Sequence, residues 1–129
     1  MSYSEYLNLT VADGSSTVLS DIPARADHRE WMGLALTEGK AAGERGEIPI
    51  GAVIVDEHGT VVASAGNTRE REHDPSAHAE VNAIRQAAAR LGQWRLEGCT
   101  LVVTVEPCLM CAGTILASRV STVVFGAWE

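Results

Sequence analysis

The sequence predicts a layered α/β domain. Helix-period apolar segments alternate along the chain with short β-branched runs, in the order helix, hairpin, helix, strand, helix, strand. That order implies that the later strands lie parallel and are joined by right-handed crossovers. Size agrees: 129 residues, 46% of them apolar and 21% charged, are enough for one core without staples.

Residues 1–24 mix Ser, Thr, Asp and Gly with isolated apolar residues and hold no period. They read as a loosely ordered N-terminal segment, with the domain proper over 25–129. Asp27 is placed to cap a helix running to about Ala42, with Trp31, Leu34, Ala35 and Glu38 at helical spacing and Gly43 near its end. The run Ile48-Pro49-Ile50-Gly51-Ala52-Val53-Ile54-Val55 is too β-branched for a helix, and Asp56-Glu57-His58-Gly59 turns it toward a hairpin partner at Thr60 to Ala65. Asp74-Pro75 opens a second helix with Ala77, Val81, Ile84, Ala88 and Leu91 as its apolar stripe, ended by Gly92. Thr100 to Val105 is a buried strand. Glu106-Pro107 starts a third helix, with Ala112, Ile115 and Leu116 on its apolar side, and Ser121 to Phe125 is the last strand.

No apolar run approaches the roughly 18 residues of a membrane span, so no membrane partner is expected. Met1 to Ala24 carries Glu5, Asp13 and Asp21 but no Lys or Arg, unlike a secretory signal, which makes the cytoplasm the default. The net charge of −7 argues against a large basic nucleic-acid surface. That objection weakens locally, because residues 66–129 set six arginines (69, 71, 85, 90, 95 and 119) against seven acids. Of three cysteines, Cys99 sits beside an apolar stretch and reads as a buried, inert thiol, while Cys108 and Cys111 stand at C-x-x-C spacing.

That pair carries the chemistry. At a helix start both thiols share a face, and the helix N-terminus favours the thiolates that a metal needs. His78, in the first turn of the preceding helix, is a candidate third ligand, and three protein ligands with one open position mark a catalytic zinc site. Glu80, two residues on, can take a proton from a water in that position and return it to a ring nitrogen and a leaving amine, which is hydrolytic deamination. Alone, a C-x-x-C pair can be a redox pair and a helix histidine can be structural. His78-Ala79-Glu80 followed by Pro107-Cys108-Leu109-Met110-Cys111 matches the H-x-E and P-C-x-x-C signature of zinc deaminases. A purely structural zinc module is the competing reading, and Glu80 speaks against it. His58 reads as a turn residue, His28 as a first-turn surface residue, and His73 stays undecided.

From about Arg29 to Trp128 the chain resembles the bacterial tRNA adenosine deaminases (TadA type). The resemblance rests on Ile48 to Val53, Gly66-Asn67, His73 to Glu80, Val105 to Gly113 and Val123 to Ala127. It implies a three-layer α/β/α cytidine deaminase-like fold with a central mixed sheet. It also implies conversion of the wobble adenosine of a tRNA anticodon arm to inosine, with one Zn2+ per subunit. His78, Cys108 and Cys111 would hold the metal, Glu80 would move the proton, and Asn67 would hydrogen-bond the flipped base. Ala79, Ile50 and Gly51 would complete the pocket. Family members act as homodimers, for which Met110 and the helix Cys108 to Ser118 are candidate contacts. Family members also continue past the Gly126-Ala127 region, so the expectation is a domain lacking its C-terminal elements. The runner-up is a deaminase of a free base or nucleoside, guanine or cytosine, because the metal and Glu80 would be the same.

Overall fold

A computed structural model describes residues 26–128. The reading of residues 1–24 lies outside the described residues. Among the described residues four helices and four strands follow one another: α1 (Ala26–Glu44), β1 (Gly51–Val55), β2 (Val61–Gly66), α2 (Arg69–Glu72), α3 (Ala79–Leu91), β3 (Thr100–Val103), α4 (Leu109–Ser118) and β4 (Thr122–Phe125). One mixed sheet runs β2-β1-β3-β4. β1 pairs antiparallel with both β2 and β3, and β3 pairs in parallel with β4 as expected. β2, β3 and β4 therefore all run the same way and leave the sheet at the same end. Whatever follows each of them starts there.

Period-two alternation splits the core across the sheet. Ala52 and Ile54 of β1 and Leu101 and Val103 of β3 pack with Ala79, Ala83, Ile84 and Ala87 of α3 and Ile115 of α4. Val53, Val55 and Val102 face the other way, onto Met32 and Ala35 of α1. Helices thus cover both faces, giving the three layers, and all five β1 residues are buried. Among the described residues no helix is long and apolar enough to cross a membrane.

The helices differ from the sequence expectation in register and ends. α1 buries Met32, Ala35 and Ala42, while Leu34 is 42% exposed. His28, expected at the surface, is buried. Asp27 lies inside the first turn, where its Oδ1 accepts from the His28 amide. The helix runs past Gly43 because the left-handed residue is Gly46 (φ +86°). The Gly46 amide bonds Gly43 O and the Glu47 amide bonds Ala42 O, a Schellman stop. The first strand begins at Gly51 rather than Ile48, since Ile50 N turns back onto Ile48 O at 2.8 Å. Asp74 caps a turn, not a helix: its Oδ1 accepts from the amide and hydroxyl of Ser76. α3 then starts four residues later than that turn suggests, at Ala79. β3 stops at Val103, because Thr104 turns to exchange bonds with Gly51. α2 was not expected. Leu116, expected on the buried side of α4, is 73% exposed.

Gly51 sits where α1 crosses β1. A Cβ there would press into the Ala35 carbonyl and the Gly39 amide, so only glycine lets the helix backbone approach so closely. Gly51→Ala is expected to destabilise the domain by about 1–3 kcal/mol, the usual cost of overpacking. Urea unfolding with an unchanged m-value checks this, and a midpoint equal to that of the parent would refute the packing argument.

Candidate metal centre

The shared exit end of β2 and β3 is where the reactive side chains meet. β2 leads through the short α2 into α3, β3 leads through a loop into α4, and α3 and α4 each open on a side chain that could hold a metal. His78 is the N-cap of α3 (φ −73°, ψ 155°) and Cys108 the N-cap of α4 (φ −69°, ψ 172°). N-caps are normally Ser, Thr, Asp or Asn, whose side chains bond the first-turn amides. Neither His78 nor Cys108 makes such a bond, so both side chains are free to turn toward each other. Their backbones are fixed, since His78 O accepts from Asn82 N and Cys108 O from Ala112 N. Cys111, one turn into α4, is fully buried.

His78 Nδ1 lies 3.7 Å from Cys108 Sγ and 3.5 Å from Cys111 Sγ. The three ligand atoms all fall within 4.8 Å of one another and can hold a metal ion. Tetrahedral zinc, with Zn–S near 2.3 Å and Zn–N near 2.0–2.1 Å, requires N···S separations of about 3.6 Å. The two measured distances meet that requirement. Two sulfurs and one imidazole also form a donor set suited to zinc. All three cysteines are free thiols, and Cys99 is buried as the sequence suggested. The Cys111 thiol is raised, not lowered as its place at a helix start suggested. Burial, then the neighbouring Glu80 carboxylate, push it well above its usual range.

Beside the three ligands is a cavity of about 140 Å³. His78, Ala79, Glu80 and Cys108 form its floor. Glu80 is only 4% exposed, so a carboxylate is held against the metal-ligand cluster with little access to bulk water. Ile48, Ile50 and Val105 supply the apolar wall. Asn67 closes one side, 2% exposed, with its amide bonded to Ile50 O. Asn67 Oδ1 accepts from Arg69 N at 2.9 Å, which fixes the amide orientation and leaves Nδ2 as the donor for the cavity. Of the sequence candidates, Gly51 is the exception. It packs on α1 and does not line the cavity.

Sequence reasoning missed Arg69 and Glu106, which also line the cavity, and Glu47 behind it. Glu47 is 7% exposed, and its Oε1 and Oε2 accept from the amides of Glu70 (2.8 Å) and Arg71 (3.0 Å). That clamp sets α2, which begins at Arg69, and with it the loop that carries Asn67. Burial opposes the charge on Glu47. The two amide bonds, with the Arg45 and Arg71 guanidiniums, outweigh it and hold the carboxyl below its ordinary range. No local pattern announces this, because the partners stand 23 and 24 residues away. His73 takes the left-handed conformation (φ 51°) that ends α2 and does not line the cavity. His58 is exposed in the hairpin turn.

Comparison with known proteins gives this arrangement a context. The family model of the cytidine and deoxycytidylate deaminase zinc-binding region matches residues 25–127. The chain is 54% identical over 99 residues to a tRNA-specific adenosine deaminase of Bacillus subtilis, covering 77% of this chain and 61% of that protein. It therefore spans about three fifths of that relative. Among solved structures, one from a study of tRNA:A34 deaminases acting at the wobble position has a TM-score of 0.76 at 48% identity, covering 78% of this chain and 72% of the other. A guanine deaminase from Bacillus subtilis has the same TM-score at 38% identity, with coverage of 78% and 64%.

The Glu47 clamp has a definite pH dependence. Its folded-state pKa lies below the ordinary value of 4.5, so its contribution is complete above that pH and is lost as pH falls through the lower folded-state value. Hydrogen-exchange protection of the Glu70 and Arg71 amides should hold down to about pH 4.5 and fail on the acid side. In Glu47→Gln, where one acceptor becomes a donor facing an N–H, their protection should be reduced already at pH 7. Unchanged protection in that variant would remove the clamp from the account.

Proposed function

The chain belongs to the cytidine and deoxycytidylate deaminase zinc-binding family, and from that premise we propose that it hydrolyses adenosine to inosine at the wobble position of a tRNA anticodon. The observation that carries the reaction is the convergence of His78, Cys108 and Cys111 beside buried Glu80. For the substrate, the 48% identity to the structure from the tRNA:A34 deaminase study exceeds the 38% shared with the guanine deaminase, over the same share of this chain.

In this reading His78, Cys108 and Cys111 hold one Zn2+. When bound, the metal would supply Lewis-acid activation of the attacking water. Glu80 would take one proton from the attacking water and deliver it to the ring nitrogen, then carry the second proton of that water, left on the added hydroxyl, to the leaving amine. A C6–O bond forms, the C6–N bond breaks, and ammonia leaves. Asn67 Nδ2 donates to the base, Ala79 offers its backbone, and Ile48, Ile50 and Val105 exclude water around the ring. Burial of Glu80 suits the task, since its proton has few places to go other than the substrate. Supplying a base to so small a cavity requires taking it out of its stack.

A homodimer in the cytoplasm fits this reading. α4 has no charged residue, and it leaves Leu109 (91%), Met110 (38%) and Leu116 (73%) exposed on the helix that bears two of the ligands. A second copy of the chain would cover such a face.

The alternative, deamination of free guanine or cytosine, has one observation in its favour: the fold matches the guanine deaminase as well as the tRNA enzyme, at a TM-score of 0.76. Incubation with free guanine, free cytosine and an anticodon stem-loop separates the two. Inosine in the stem-loop is expected, and turnover of a free base with none on RNA would reverse the assignment. Glu80→Ala should keep its zinc and lose about 10²–10⁴-fold in turnover. His78→Ala and Cys108→Ala should lose zinc and activity together, because three ligands leave no redundancy. Stoichiometric zinc retained by either ligand variant would refute the ligand set.

A further inference from the structure

α2 separates two cavities. Asn67 and Arg69 face the one beside the metal ligands, and Thr68, Arg71 and Glu72 face a larger one of about 430 Å³ along β2, an edge strand of the sheet. Three arginines from three elements line this second cleft: Arg45 after α1, Arg71 in α2 and Arg85 in α3. Against these three arginines stand two carboxylates, each held by a hydroxyl of the cleft's own lining. Glu38 accepts from the Ser64 hydroxyl at 2.7 Å and Glu72 from the Thr68 hydroxyl at 2.8 Å. Arg85 pairs with Asp74 at 3.6 Å. Among the described residues, Arg45 and Arg71 make no ion pair within 4.0 Å; the nearby Glu47 spends both oxygens on backbone amides.

Arg45 and Arg71, the two guanidiniums that also favour the charge on Glu47, both open onto this one concave surface in a chain of net charge −7. A planar fork of N–H donors matches a phosphate's oxygens, and a cleft concentrates its field. We propose that this cleft is a phosphate subsite that takes the backbone of a polynucleotide substrate, with Arg45 and Arg71 as its principal contacts. The inference rests on the proposed RNA substrate. With the target base beside Asn67 and Glu80, a flanking backbone crossing α2 passes Arg69 and reaches Arg71 and Arg45. The subsite explains how a small acidic domain can retain RNA: the positive charge is local, held in one groove next to the reacting base. It also gives the Glu47 clamp a second consequence, since the helix that it fixes presents side chains to both cavities.

The test uses the zinc-loaded chain and a fluorescein-labelled anticodon stem-loop, with anisotropy titrations across a salt series. For Arg45→Gln/Arg71→Gln, the dissociation constant at low salt should rise at least about tenfold, and the slope of log K against log salt should shallow by about one per arginine lost. Arg45→Lys/Arg71→Lys should keep the parental slope. A folded, zinc-containing Gln variant with parental affinity and slope would overturn the subsite while leaving the substrate assignment intact. An equal loss of affinity in the Lys variant, which keeps both charges, would also overturn it, by showing that charge at these positions does not hold the RNA. Failure of the parent chain to bind the stem-loop at all would overturn the substrate assignment and the subsite together.

Discussion

Two helix starts, 30 and 33 residues apart as measured from His78 to Cys108 and Cys111, must touch before three ligand atoms can share one cation. Strand direction is what makes that possible. β1 pairs antiparallel on both sides, so β2 and β3 run the same way and deliver their following loops to one end of the sheet. The parallel pairing of β4 adds the Gly126-Ala127 exit to the same end, where Ala127 O receives the Glu106 amide just ahead of Cys108. The placement follows the general rule for open α/β sheets, in which ligands bind at the carboxyl ends of the strands.

Rigidity at that end comes from what lies behind it. β1 is buried on both faces, and the Gly51 contact seats α1 directly on its first residue. From there Gly51 exchanges hydrogen bonds with Thr104, tying the start of β1 to the loop that leads to the cysteines. Asn82, one turn into α3, donates to Gly66 O and Thr68 Oγ1, tying the histidine helix to the end of β2. The ligands are thus presented by backbone that is cross-braced from both sides, as pre-organised chemistry requires.

Electrostatics at the centre runs against the helix ends that shape it. Cys111 is buried and its thiol is raised, with the Glu80 carboxylate close by. A bound cation would offset both costs, by taking the thiolate and balancing the carboxylate. The same logic appears on a smaller scale at Glu47, where two amides and two guanidiniums keep a buried carboxylate charged.

Much of this was legible in the sequence. The alternation of elements, the buried β-branched runs and the H-x-E and P-C-x-x-C patterns depend on spacings of a few residues, and short-range geometry makes such spacings readable. Ends and registers were less so. Asp74 looked like a helix cap because its side chain does cap a turn, and nothing local distinguishes that turn from a helix start. Gly43 looked like a stop although the left-handed position fell at Gly46. Gly51 was assigned to the pocket when its missing side chain serves helix packing, and Glu47 gave no sign of its partners. The sequence by itself determined that His78, Cys108 and Cys111 belong to one candidate site, and roughly which elements carry them. Only the tertiary structure decided which backbone each buried group answers to, because contacts between residues tens of positions apart are set by strand direction and layer packing, not by local pattern.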